Sequence, residues 1–122
     1  MNVLVVDDSR AIFAMVSQML KEGGHNSIWA EDGCKAVEVL AQNKTIDIIL
    51  LDCNMPNMNG LEFLEKNMKE SLTTAPIIMM TTENSPEKIK KALSFNAAEY
   101  IMKPFTKDIL LNKMSLLEMM MR

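Results

Sequence analysis

Hydrophobic residues are concentrated in five short runs that predict strands. Within residues 46–52 and 76–81, positions 48–51 and 77–80 are all aliphatic or Met, which is typical of strands buried on both faces. Shorter runs at residues 3–6, 26–30 and 99–102 predict three further strands. The run at 26–30 is mixed in polarity, so we expect it nearer the edge of a sheet.

The segments between these runs carry apolar residues every three or four positions, the spacing of amphipathic helices. Helices are predicted to begin near Arg10, at Asp32 or Gly33, at Gly60, at Ser85-Pro86 and after a Thr106 cap. Positions expected to face inward in the first, second and last helices are Ile12, Met15, Val16, Met19, Leu20, Ala36, Val37, Leu40, Ala41, Ile109, Leu110, Met114, Leu117 and Met121. Alternation of strand and helix predicts an α/β fold with a parallel sheet covered on both sides.

Length and composition indicate one domain over residues 1–122. The chain has 122 residues, 48% of them hydrophobic, enough for a substantial core. A formal charge of −3 without a dense basic run argues against nucleic acid as the main partner. No signal peptide and no membrane-spanning run is visible, so we expect a cytoplasmic location. The protein is also expected to be a monomer. Cys34 and Cys53 lack metal-ligand spacing and are expected to be free thiols.

Three acids stand where two predicted strands end. Asp52 closes the run at 46–52, and Asp7 and Asp8 follow the run at 3–6. Taken singly, Asp52 could begin an Asx-turn and the Asp7-Asp8 pair could cap a helix, although Ser9 can do that instead. If the two strands are parallel neighbours, the carboxylates converge and need a cation. Few carboxylates with no Cys or His cluster favour Mg²⁺.

The motifs resemble one known family. Val5-Val6-Asp7-Asp8-Ser9, Leu51-Asp52, Met55-Pro56, Gly60, Thr81 and Lys103-Pro104-Phe105 are together similar to the receiver domain of two-component response regulators. Asn54, Glu83 and Tyr100 make the resemblance strongest to the chemotaxis members. The resemblance implies a doubly wound, flavodoxin-like (βα)5 fold with strand order 2-1-3-4-5. An Asn stands at position 96, where receivers usually carry Gly before the fifth strand; it should adopt a left-handed conformation.

The resemblance also implies a role for each motif residue. Asp52 would accept a phosphoryl group, while Asp7, Asp8 and the backbone carbonyl of Asn54 would complete the Mg²⁺ site with it. The remaining roles are phosphoryl pairing by Lys103, conformational switching by Thr81 and Tyr100, and control of dephosphorylation by Asn54, Glu83 and Thr82. Thr82 replaces the small Ala of many receivers, and its bulk is expected to slow phosphoryl transfer or loss.

The expected partners follow from the same resemblance. A histidine kinase would donate the phosphoryl group, and the flagellar motor switch would read the phosphorylated state, with a phosphatase as a further candidate. Lys88, Lys91, Tyr100 and Lys107 would form part of the output surface. The domain itself would have only weak autophosphorylation and autodephosphorylation activity, so it is not expected to be an enzyme in the usual sense.

Three alternatives remain at this stage. The chain could be the receiver of a phosphorelay or part of a larger regulator or hybrid kinase. It could be a magnesium-dependent hydrolase with an aspartyl-phosphate intermediate, although Asn54 then stands where a general acid is needed. It could also be a binding domain that ignores phosphorylation, which the complete set of site residues disfavours.

Overall fold

A computed structural model of the protein describes residues 1–43, 45–82 and 85–120. Strands and helices alternate along the chain as predicted. The elements are β1 (Asn2–Val6), α1 (Arg10–Glu22), β2 (Asn26–Ala30), α2 (Gly33–Gln42), β3 (Ile48–Asp52), α3 (Gly60–Glu70), β4 (Ile77–Thr81), α4 (Pro86–Ser94), β5 (Glu99–Met102) and α5 (Lys107–Met120).

The five strands form one parallel sheet in the order β2-β1-β3-β4-β5. The predicted strand order is confirmed, and so is the position of β2 at an edge. β1 and β3 are neighbours, with Val6 aligned with Leu51. β3 and β4 are also neighbours, with Asp52 aligned with Met80. The carboxyl ends of these strands therefore lie at the same edge of the sheet.

The sheet buries side chains on both faces, which explains why its central strands are continuously apolar. Leu4, Val6, Ile49 and Leu51 pack beneath α2 and α3, where Phe63 is fully buried. The alternate positions pack against α1 and α5 on the other face. That second layer includes Val3, Val5, Ile48, Leu50, Val16, Leu20, Leu110, Met114 and Leu117.

Three predicted inward positions are wrong. Met15 and Ile109 are 40% and 47% exposed, and Ala41 is also exposed. Met15 lines a groove beside Phe105 instead of entering the core. Helical spacing marks a broad apolar stripe, but only its centre faces the sheet, so residues at its borders stay near solvent. Met121 lies outside the described residues.

Short polar contacts fix the helix ends. Ser9 Oγ accepts the backbone N–H of Ile12 at 3.2 Å, so Ser9 caps α1 and leaves both neighbouring acids available. Asp32 caps α2 through the N–H of Lys35, and Thr106 Oγ1 accepts the N–H of Ile109. Asn96 has φ 68°, confirming its left-handed conformation. Among the described helices, none is long and apolar enough to cross a membrane.

Candidate functional site

Three carboxylates meet at the carboxyl edge of the sheet. Asp7 follows β1, Asp8 lies in the turn to α1, and Asp52 ends β3. One oxygen of each lies within 4.8 Å of the others. Asp7 and Asp52 are buried, at 1% and 6% exposure, whereas Asp8 is exposed. The predicted convergence is confirmed, because adjacent parallel strands end side by side.

Lys103 directly follows the edge strand β5 and brings a positive charge to this cluster. Its Nζ donates to Asp7 Oδ2 at 2.8 Å and to Asp52 Oδ1 at 3.0 Å. The side chain is only 14% exposed, so Lys103 is not a solvated loop lysine. The backbone N–H of Lys103 also donates to the carbonyl of Thr81 at 2.7 Å, which ties the end of β5 to the end of β4.

The electrostatics of the cluster reflect one ammonium shared between two buried carboxylates. Burial raises the pKa of Asp52, aided by the charge of Asp7, and these effects outweigh the opposing contacts with Lys103. Burial alone would lower the pKa of Lys103, but hydrogen bonds and charges from Asp7 and Asp52 outweigh it and raise that pKa. Lys103 is therefore firmly cationic. The ionised form of Asp52, in contrast, is less favourable than it would be in water, because burial removes its hydration.

The donor set fits Mg²⁺. Carboxylate oxygens are hard ligands, and among the described residues the cluster contains neither Cys nor His. Exposure of Asp8 leaves one side open to water, which Mg²⁺ retains in its octahedral shell. Asn54 is also exposed, two residues beyond Asp52 in the loop that follows β3.

The turn that carries Asp7 and Asp8 is held from three directions. Asp7 Oδ1 accepts the N–H of Ser9 at 2.9 Å, and the N–H of Asp7 donates to the carbonyl of Ala30 at 3.0 Å. The indole Nε1 of Trp29 donates to the Asp7 carbonyl at 2.8 Å. Sequence analysis did not identify Trp29, because its position in an edge strand gives no sign of where the indole N–H points.

The loop between Asp52 and α3 is anchored at both ends. The N–H of Gly60 donates to the carbonyl of Cys53 at 3.1 Å, and a Cβ at Gly60 would lie 2.5 Å from the Asp52 carbonyl oxygen. Only Gly permits this close approach. Asn57, at φ 67°, donates from Nδ2 to Asp32 Oδ2 at 2.9 Å, which links the loop to the cap of α2.

Neither of the two cysteines forms a disulfide bond, so both are thiols, as predicted. Cys34 is exposed on α2, and Cys53 is 8% exposed beside Asp52. Since Cys53 packs into the core layer beneath α2 and α3, it serves there as a small apolar side chain.

Thr81 and Tyr100 lie on either side of a small cavity. Thr81 ends β4 and is 6% exposed, and Tyr100 on β5 is half-buried. The cavity between them has a volume of about 20 Å³ and is also lined by Lys88, Ile89 and Ala92. That volume suits one water molecule and is far too small for an aromatic ring. Thr82 is exposed beside Lys103, and Glu83 lies outside the described residues.

The four output residues predicted from the sequence make different contacts in the structure. An open groove of about 470 Å³ is lined by Pro86, Ile89, Lys90, Leu93, Tyr100 and Met102. Lys91 instead lies over the ring of Phe95, at 5.9 Å from its centroid, and within electrostatic reach of Glu65 on α3. Lys107 pairs with Glu22 of α1 at 3.5 Å. Lys90 is thus the groove lysine that sequence analysis missed.

Known proteins match nearly the whole chain. The family model described as "Response regulator receiver domain" matches residues 3–115. The chemotaxis protein CheY homolog of Campylobacter jejuni is 37% identical over 116 residues, 93% of this chain and 89% of that protein. The autoinducer sensor kinase/phosphatase CqsS of Vibrio cholerae is 33% identical over 93% of this chain but only 17% of its own length. The solved structure of Vibrio cholerae chemotaxis protein CheY4 is 37% identical, with a TM-score of 0.85 over 93% of this chain and 95% of that one.

Proposed function

Because the chain belongs to the response regulator receiver family, we propose that it is a phosphorylation-controlled switch in which Asp52 is the acceptor. A receiver domain is a phospho-acceptor signalling module rather than an enzyme in the usual sense, and its phosphoryl donor is a histidine kinase. The observation that carries the proposal is the buried Asp7–Lys103–Asp52 contact beside exposed Asp8.

The proposed reaction is an in-line displacement. A carboxylate oxygen of Asp52 forms a bond to phosphorus while the bond from phosphorus to the donor histidine nitrogen breaks, and the electron pair remains on that nitrogen. Asp7, Asp8, Asp52 and the carbonyl of Asn54 would hold Mg²⁺, which neutralises charge on the transferred oxygens when it is bound. Lys103 would exchange one carboxylate contact for a phosphoryl oxygen, because its Nζ already lies 3.0 Å from Asp52 Oδ1.

Thr81 and Tyr100 would couple this reaction to the output face. The Thr81 hydroxyl would move toward the phosphoryl group, a contact that exists only in the phosphorylated state and so biases the equilibrium between conformations. The cavity beside Tyr100 is small, at about 20 Å³. Inward rotation of Tyr100 would therefore accompany a movement of Thr81 or of a residue of α4, which would couple the two positions.

Three residues are proposed to set how long the signal lasts. Asn54 and Glu83 are proposed to border the path of the hydrolytic water. Thr82 lines the groove beside Lys103, so its bulk would restrict access to Asp52. The variant Thr82→Ala should then show faster phosphoryl transfer or loss, measured by mass spectrometry against time. Unchanged rates would refute this role.

The first test is the intact mass after incubation with acetyl phosphate, with and without Mg²⁺. We expect a gain of one phosphoryl group that requires Mg²⁺ and disappears in Asp52→Asn. The exposed Asp108→Asn on α5 is the matched control and should be phosphorylated normally. No gain in protein shown to be folded, or an equal gain in Asp52→Asn, would refute the proposed mechanism.

The proposed downstream partner is the flagellar motor switch, which the chemotaxis names of the relatives favour. The groove beside Tyr100 is largely apolar and carries Lys90 at its border, so it suits an amphipathic segment with acidic residues. Binding of a labelled motor-switch peptide, followed by fluorescence anisotropy, should tighten on phosphorylation and weaken in Leu93→Ala. The exposed Met68→Ala on α3 should bind the peptide as wild type does.

A second candidate is a receiver that serves a phosphorelay or a larger regulator. The match to a small part of a sensor kinase/phosphatase favours it. It retains the chemistry at Asp52 and changes only the partner. Transfer of phosphoryl from this protein to a histidine phosphotransfer domain, without phosphorylation-dependent peptide binding, would support that candidate instead.

A further inference from the structure

Trp29 lies in β2 and makes a contact that has no role in the phosphoryl transfer proposed above. It is aligned with Val5 of β1, and its indole reaches past the end of the sheet, where Nε1 donates to the Asp7 carbonyl at 2.8 Å. That carbonyl belongs to the peptide bond joining Asp7 to Asp8. The orientation of this peptide plane sets the direction in which the Asp8 side chain leaves the backbone.

The indole is itself held firmly by α1. Phe13 stacks on it with ring centroids 5.6 Å apart and an interplanar angle of 16°. The guanidinium of Arg10 lies 5.6 Å from the centroid of the Trp29 ring. Because Arg10 and Phe13 are three residues apart on one helix face, they restrain the ring together. The N–H is therefore preorganised and does not depend on a mobile side chain.

We propose that Trp29 is a positioning residue of the divalent-cation site, acting through its hydrogen bond to the carbonyl between Asp7 and Asp8. The bond fixes the peptide plane from which the exposed Asp8 carboxylate projects, while Ala30 and Ser9 restrain Asp7. Partners that orient the ligands of a metal commonly change its affinity by about 10-fold or more when removed. This inference rests on the proposed metal site of the receiver.

The test separates this hydrogen bond from simple packing. Trp29→Phe keeps an aromatic ring for Phe13 and Arg10 but loses the N–H. By titration calorimetry with MgCl₂ we expect its Kd for Mg²⁺ to rise about 10-fold. The matched control is Ile28→Val, which shortens the residue before Trp29 in the same strand. The Ile28 side chain packs against the core layer that contains Phe63. The variant should weaken folding slightly and leave the Kd within about 2-fold of wild type.

Fluorescence supplies a second measurement. Trp29 is the single Trp of the chain, so emission from the unlabelled protein reports on it alone. We expect a saturable change in emission on adding Mg²⁺, with the same Kd as calorimetry, and no change in Asp8→Asn. A Trp29→Phe affinity within about 2-fold of wild type would overturn the proposal, as would constant emission while calorimetry registers binding. If wild type takes up no Mg²⁺ in calorimetry, both the metal site and the role of Trp29 are refuted.

Discussion

Replacing Lys103 by Met should destabilise the protein strongly in the absence of metal. The Lys103 ammonium bonds two carboxylates that are almost fully buried. At an effective dielectric constant of about 20, two unit charges about 4 Å apart attract by about 4 kcal/mol, and both Lys103 contacts are shorter than that. Desolvation of the ammonium and repulsion between the carboxylates offset much of this attraction. Removing one partner of a buried ion pair typically costs about 3 to 5 kcal/mol.

The lower end of that range applies here. One of the two abandoned carboxyls can take up a proton, which limits the penalty. We therefore expect Lys103→Met to lose about 3 kcal/mol of unfolding free energy at pH 7 in EDTA. The loss should shrink at pH 5, because more of the unpaired carboxyl groups are then protonated. It should also shrink in MgCl₂, because a cation again balances the carboxylates and no longer competes with the ammonium.

The assay is urea unfolding followed by circular dichroism, at both pH values and with EDTA or MgCl₂. The matched control is Lys35→Met on α2, where Lys35 pairs with Glu38 at 3.3 Å and both side chains are more than half exposed. That pair should contribute less than about 0.5 kcal/mol. If Lys103→Met in EDTA at pH 7 is no less stable than Lys35→Met, the argument that one ammonium stabilises two buried carboxylates is refuted.

Three further changes have expected outcomes. Burial raises the folded-state pKa of Asp52, so above that pKa its ionised form lowers the free energy of unfolding. Asp52→Asn should therefore be more stable than wild type in EDTA at pH 7. This advantage should vanish as the pH falls through that pKa in a urea-unfolding pH series. Gly60→Ala should lower the free energy of unfolding in urea by at least about 2 kcal/mol, because the new Cβ would clash with the Asp52 carbonyl oxygen. A stability equal to that of wild type would contradict this close approach. Asn96→Gly should raise stability by about 0.5 kcal/mol in thermal unfolding, since Gly adopts its positive φ without a Cβ penalty.

Much of the fold could be predicted because its signals are local. The runs ending at Asp52 and Thr81 are continuously apolar, and both strands lie in the centre of the sheet. Caps at Ser9 and Asp32 could be identified because a side chain bonds a backbone only three residues away. Strand order required the resemblance to the family, since nothing in a single strand specifies its neighbour.

The contacts that complete the site were harder to predict. Lys103 reaches Asp7 across 96 positions of sequence, and its own neighbourhood in the chain suggests only a loop. The bonds from Trp29 to Asp7 and from Asn57 to Asp32 likewise join residues more than 20 positions apart. The position of Lys90 beside the groove was hard to predict for a different reason. Adjacent helical residues point about 100° apart, so the sequence alone does not tell whether Lys90 or Lys91 borders the groove.

The presence of one ammonium beside three carboxylates has a consequence for how a partner can detect the signal. The cluster carries a net charge of about −2 when all groups are ionised, and a bound dication would bring it close to neutral. Converting the Asp52 carboxylate to an acyl phosphate then adds only about one further negative charge. Between exposed charges such a change is largely screened beyond about 8 Å at physiological salt. We therefore expect a partner at the groove beside Tyr100 to recognise mainly an altered shape of that groove.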